Sequence, residues 1–166
     1  MQGATRRSFE AGHRPKFLVV VDGTPESSRA VHFAARRSAR TGASMLMLGV
    51  ITPPDSFEWL GVGDVLRAEA EDEVAGLLDA ASEHARTAAG VDAERILKEG
   101  DRAEAILELI AEDDDISFLV LAAASESSGP GPLVTGIVAK GSSTFPVPIV
   151  IVPGNLTDDE IDALAG

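Results

Sequence analysis

The 166-residue chain has no cysteine, a single tryptophan and only three histidines. Without cysteine it can build neither a disulfide scaffold nor a thiolate metal site. His13, His32 and His84 lie too far apart in sequence to form a local ligand pair, so a zinc site would need an unusual constellation of carboxylates. No window approaches the roughly 20 consecutive apolar residues of a membrane-spanning helix, which predicts a soluble, cytoplasmic protein with no membrane partner. Basic charge is scarce as well. Fourteen Lys and Arg against 27 Asp and Glu leave a formal net charge of −13, with a pI near 4.5. Such a chain repels a phosphate backbone, which argues against a nucleic-acid partner.

What is present suffices for one self-supporting domain: hydrophobic residues make up 45% of the chain, and a chain of this length buries about 70% of its unfolded surface. The charge is unevenly distributed, +5 over residues 1–49 and −18 over residues 50–166. Residues 1–15 carry Arg6, Arg7 and Arg14 with no apolar run before Phe17, and read as a disordered basic arm. The Arg6-Arg7 pair is followed by neither the hydrophobic region nor the cleavage site of an export signal.

From Phe17 onward, strands and helices alternate. Phe17–Val21 is a continuous β-branched run of the kind buried on both faces of a sheet, ending at Asp22-Gly23. Thr24 is placed to cap a helix with Pro25 in its first turn, and Ala30, Val31, Ala34 and Ala35 recur at helical spacing up to Gly42. Ser44–Ile51 is a second strand. A long helix is predicted over 64–89, with Leu66, Ala70, Val74, Leu77, Ala81, Ala85 and Ala88 in one stripe. Ala93–Leu97 is a more polar strand suited to an edge. Asp101 and Glu104 form the cap of a helix that buries Ala105, Ile106 and Ile110 and ends at the acidic run Glu112–Asp115. Phe118–Ala123, a glycine-rich loop, a short helix near Gly136–Phe145, and a fifth strand over Ile149–Val152 complete the order. This is an α/β pattern of right-handed crossovers, giving a parallel sheet covered on both faces. Residues 154–166 form a helical tail beginning with the capping box Thr157-x-x-Glu160, read as docked on its own domain.

In such sheets ligands sit beyond the carboxyl ends of the strands, where the winding reverses. Attention therefore falls on Asp22, Val50 and the loop after Ala124. An Asp at the end of the first strand can accept a hydrogen bond from a ribose hydroxyl or an adenine amine, and equally serves as a strand-to-helix turn residue. The glycines of Ser127–Gly136 let the backbone approach a phosphate, although the loop lacks the Walker lysine and equally suits a plain surface loop. Trp59 is read as packing on the core rather than anchoring a partner. His32 and His84 fall inside helices and read as packing or surface residues rather than bases.

Phe17–Val31, Met45–Ile51, Phe118–Leu121 and Pro146–Val152 together resemble the universal stress protein family, over residues 16–153. The resemblance implies a five-stranded, three-layer adenine-nucleotide-binding (Rossmann-like) fold with strand order 3-2-1-4-5, usually homodimeric, whose ATP-binding members hold phosphates on a Gly-x2-Gly-x9-Gly-[Ser/Thr] loop. Here Gly131 with Gly141-Ser142 fits the second half of that motif on spacing, with Ser128 standing at its first glycine. Anchoring on Pro146-Val-Pro148 instead puts Thr135-Gly136 at the helix start and leaves the glycine loop several residues shorter than the ATP-binding form. On this register the candidate site is Asp22, Val50 through its backbone, Gly129, Gly131, Thr135 and Gly136, with ATP or AMP as ligand and magnesium accompanying ATP. The resemblance thus points to a stress-response regulator that works by site occupancy rather than as an enzyme, pairing through the bare edge strand 148–153. A protein-interaction module without nucleotide and, behind it, a slow ATPase are the alternatives.

Overall fold

The structure is a computed structural model that describes residues 5–52, 63–124, 131–139 and 145–166. Its elements are β1 (Lys16–Val20), α1 (Ser27–Thr41), β2 (Ser44–Ile51), α2 (Gly63–Ala89), β3 (Glu94–Glu99), α3 (Arg102–Glu112), β4 (Ile116–Ala123), α4 (Pro132–Ala139), β5 (Ile149–Pro153) and α5 (Asp158–Leu164). The five strands form one sheet in the order β3-β2-β1-β4-β5, every neighbouring pair parallel. This is the order the resemblance implies.

Side chains alternate across the pleat, so β1 feeds two separate cores. Leu18 and Val20 join Leu46, Leu48 and Val50 beneath α3 and α4, whereas Val19 and Val21 join Met45 and Met47 beneath α1, α2 and α5. The predicted stripe of α2 lies on its inward side, with Leu78 added to the fully buried set. Gly49 lets that helix come close: a Cβ there would stand 2.5 Å from Val74 Cγ1 and 3.1 Å from Leu78 Cδ1.

Three expectations are corrected. Thr24 does not cap α1; its hydroxyl and its N–H both donate to Asp22, and Glu26 occupies the cap position without a side-chain bond. An Asp two residues upstream offers a nearer acceptor geometry for Thr24 than the helix end does. The helix before β5, α4, starts at Pro132 rather than Gly136, because proline has no N–H to leave unpaired in a first turn. Finally, the described part of the arm is packed rather than free. Arg6 donates to the carbonyls of Ile110 and Asp113 at the end of α3, His13 Nδ1 lies 2.6 Å from Asp115, and Ser8 is buried; Lys16, which opens β1 directly after the arm, puts its Nζ 2.8 Å from Asp113. The positive N-terminal segment thus settles on the acidic run before β4, the two extremes of the charge asymmetry meeting in space.

The tail packs on α1. Thr157 and Glu160 form the reciprocal capping box, Ile161 is fully buried, and Arg29 and Arg37 donate to the carbonyls of Leu156 and Ala165. Among the described residues no helix is long and apolar enough to cross a membrane.

Candidate functional site

The chain steps from β1 to β2 and β3 on one side and returns to β4 and β5 on the other, so the winding reverses between β1 and β4. Asp22 stands two residues beyond the last β1–β2 pair, Val20↔Leu48, level with Val50. It stands three beyond Val19↔Val120, level with Ala123. Leu48 presents its carbonyl to β1, where Val21 N donates at 2.9 Å. Alternate residues of a strand face alternate neighbours, so the Val50 carbonyl points the same way, past the end of β1, beside Asp22.

Asp22 is held rather than free to turn. Its Oδ1 accepts from Thr24 Oγ1 at 2.6 Å and Thr24 N at 3.1 Å. Among the described residues nothing occupies Oδ2, so the half-buried carboxylate keeps one acceptor for a ligand. Beside the end of β4, Gly131 has φ of 100°, a conformation that side-chain-bearing residues avoid. A Cβ on it would sit 3.7 Å from Ala124 Cβ and 3.9 Å from Glu26 Oε1.

The structure therefore brings Asp22, Val50 and Gly131 to one edge and separates the rest of the predicted set. Thr135 lies inside α4, its N–H already given to the Gly131 carbonyl at 3.1 Å, and Gly136 follows it in the same helix. Their amides are not the helix-start donors that the sequence register placed there. Gly129, the Gly141-Ser142 pair and Trp59 lie outside the described residues. Glu26 was legible only as a favourable charge in a first helical turn; its position beside Gly131 depends on how α1 and α4 approach each other. Between α1 and α2, next to the Asp22–Thr24 turn, a groove of about 220 Å³ lined by Val21, Gly23, Thr24, Val31, Leu77 and His84 falls below the roughly 300 Å³ of ordinary small-molecule sites.

Fold and edge together define a doubly wound α/β domain with a carboxylate just beyond β1 and a positive-φ glycine beside the end of β4. The model of the universal stress protein family matches residues 13–153, and the chain belongs to that family. Among solved structures it is similar to the universal stress protein UspA of Lactobacillus plantarum, at 19% identity over 83% of this chain and 97% of that one, TM-score 0.67. It is also similar to a universal stress protein in complex with cAMP, at 24% identity over 83% and 96%, TM-score 0.64, and to a universal stress protein of Archaeoglobus fulgidus, at 16% identity over 89% and 99%, TM-score 0.65. At these identities the likeness carries the fold. Comparison with curated protein sequences gives no match.

Proposed function

We propose that this chain is a cytoplasmic stress-response regulator whose signal is the occupancy of the β1/β4 edge by an adenine nucleotide. The observation that carries this reading is Asp22: a carboxylate anchored through one oxygen, whose other oxygen has no partner among the described residues, at the point of strand reversal. Asp22 Oδ2 is suited to accept from a ribose hydroxyl or the adenine amine, the Val50 carbonyl to accept from the same amine, and the backbone at Gly131 to meet a phosphate. The solved relative that holds cAMP supports a nucleotide of this class.

Glu26 limits the phosphate end. With its carboxylate within about 4 Å of the Gly131 position, a bare triphosphate meets like charge, so AMP fits without a cation and ATP needs magnesium between its phosphates and the acids. The same carboxylate favours the second reading, a protein-interaction module that uses the fold without nucleotide. In either reading the exposed side chain of Ile151 on the edge strand β5 supports pairing with a second copy, since a bare apolar edge invites another strand.

Calorimetric titration with AMP, ADP and ATP, with and without magnesium, combined with mass spectrometry of co-purified ligand, tests the proposal. Saturable AMP binding independent of magnesium and ATP binding dependent on it are expected. An absence of affinity for all three removes nucleotide sensing and leaves the interaction module; steady phosphate release would make the chain a slow ATPase instead.

A further inference from the structure

On the face of the sheet covered by α1, α2 and α5, three helices bring together side chains that are far apart in the sequence. His32 of α1 is 5% exposed. Its Nδ1 lies 2.9 Å from Nε2 of His84 on α2 and 3.7 Å from Oδ1 of Asp158, the first residue of α5. One ligand atom from each of His32, His84 and Asp158 falls within 4.8 Å of the others. The two imidazole rings stand nearly perpendicular, at 84° with centroids 5.2 Å apart, so the nitrogen of one is aimed at the nitrogen of the other rather than stacked on it. Behind them, His32 Nε2 lies 2.7 Å from Asp162 Oδ1. An ionised carboxylate only accepts, so Nε2 carries the proton and Nδ1 presents its lone pair toward His84 and Asp158. A carboxylate orienting the far nitrogen of a buried imidazole is the usual support behind a metal-binding histidine.

We propose that His32 Nδ1, His84 Nε2 and Asp158 form a site for a divalent transition-metal ion of the zinc type, with Asp162 as the positioning residue. Two nitrogens and one carboxylate oxygen are the donor set of an open tetrahedral site. Two nitrogens on such an ion, each about 2.0–2.1 Å from it, stand about 3.3 Å apart, so the rings need to part by only about 0.4 Å. The hydrogen bond between the rings is then replaced by metal bonds, and His84 moves its proton to Nδ1, leaving the net proton count unchanged. A solvent-facing hollow lined by Ala80, Glu83, His84, Thr87 and Asp158 gives the ion an entry path and a fourth position for water. Arg29, whose guanidinium lies 2.6 Å from Asp158 Oδ1, competes for that carboxylate and keeps the site moderate in affinity. The consequence is structural. The ligands come from α1, α2 and α5, so the ion clasps the tail to the domain, stabilising the docked tail in proportion to the logarithm of free metal.

The test uses the untagged full chain, stripped with chelator, then exposed to zinc alone and, separately, to cobalt. We expect one zinc per chain after gel filtration, the intense visible bands of four-coordinate cobalt, and a thermal transition that rises with zinc. His84→Gln and Asp158→Asn alter partly exposed residues and leave the core intact; each is expected to weaken zinc binding at least tenfold and to remove the cobalt bands. His13→Gln, which disrupts the separate His13–Asp115 pair, is expected to change neither. The proposal is overturned if the parent retains no zinc, or if zinc retention survives His84→Gln and disappears with His13→Gln.

Discussion

The sharpest test of the nucleotide edge is Asp22→Asn. Asp22 does two things with two oxygens. Oδ1 receives both donors of Thr24 and shapes the β1–α1 turn, while Oδ2 has no partner among the described residues. An asparagine keeps a carbonyl oxygen for the Thr24 pair, which also fixes which way the amide points, and puts an NH2 where the ligand acceptor was. The fold is therefore expected to change by no more than about 0.5 kcal/mol, the range of substitutions that break no buried contact. A hydrogen bond to a charged acceptor contributes about 1.5–3 kcal/mol. Its loss weakens AMP roughly 10- to 150-fold, each 1.4 kcal/mol being a factor of ten. Calorimetric titration reads the affinity, and a urea transition on the same sample reads the fold. If the variant binds AMP within about twofold of the parent while remaining folded, Asp22 is a turn residue only and the site assignment fails.

Three other outcomes follow from particular contacts. Ile151 is 41% exposed on β5 whereas Val150 lines a pocket with Phe17, Phe118 and Val120, so Ile151→Lys is the clean probe of edge pairing; light scattering is expected to show the mass of a single chain, and an unchanged dimer would acquit the edge. Gly49→Ala places a Cβ 2.5 Å from Val74, an overpacking that costs about 1–3 kcal/mol against about 0.5–1 kcal/mol regained by leaving glycine; a net loss of up to about 2.5 kcal/mol in urea unfolding is expected, and a gain in stability would mean that α2 shifts away without penalty. The third concerns pH. Burial, reinforced by the neighbouring His32 and by Arg29 and opposed by Asp158, holds His84 below its ordinary value, so the unfolded chain takes up a proton there that the folded chain resists. In the presence of chelator, the stability of the fold against unfolding is expected to fall as pH drops from about 7.5 through about 6.5 and below. Asp162, held below the usual carboxylate range by the hydrogen bond from His32, loses its contribution only below about pH 4. Amide hydrogen exchange in α5 follows the change, and a His84→Gln variant with the same pH dependence would assign it elsewhere.

The layered fold was readable from residue order because it rests on local patterns. Continuous β-branched runs such as Phe17–Val21 must be covered on both faces, and the intervening helical stripes do the covering. The position of Asp22 at a strand end was legible for the same reason. The start of α4 was not. Glycine and proline are both permitted at several points of a Gly-Pro-rich loop, and the choice of Pro132 over Gly136 came from α4 packing Val134 and Ile137 onto α3 and β4, a contact with no local signature. Thr24 shows the same limit at smaller scale, since two acceptors were within reach and geometry chose Asp22.

The histidines mark where sequence alone stops. His32 and His84 are separated by 52 residues and His32 and Asp162 by 130; nothing local distinguishes them from surface residues, and only the packing of α2 and α5 on α1 brings them within hydrogen-bond reach. The arm is similar: its positive charge was plain, but its seat on Asp113–Asp115 depended on the parallel sheet placing the start of β1 beside the start of β4. Composition and periodicity determined the layers, the strand ends and the absence of thiols, because those follow from the residues themselves and their neighbours along the chain. Which charges pair, which helix turn receives a glycine loop, and which imidazoles meet were decided by tertiary structure, because they depend on the approach of segments that share no local pattern.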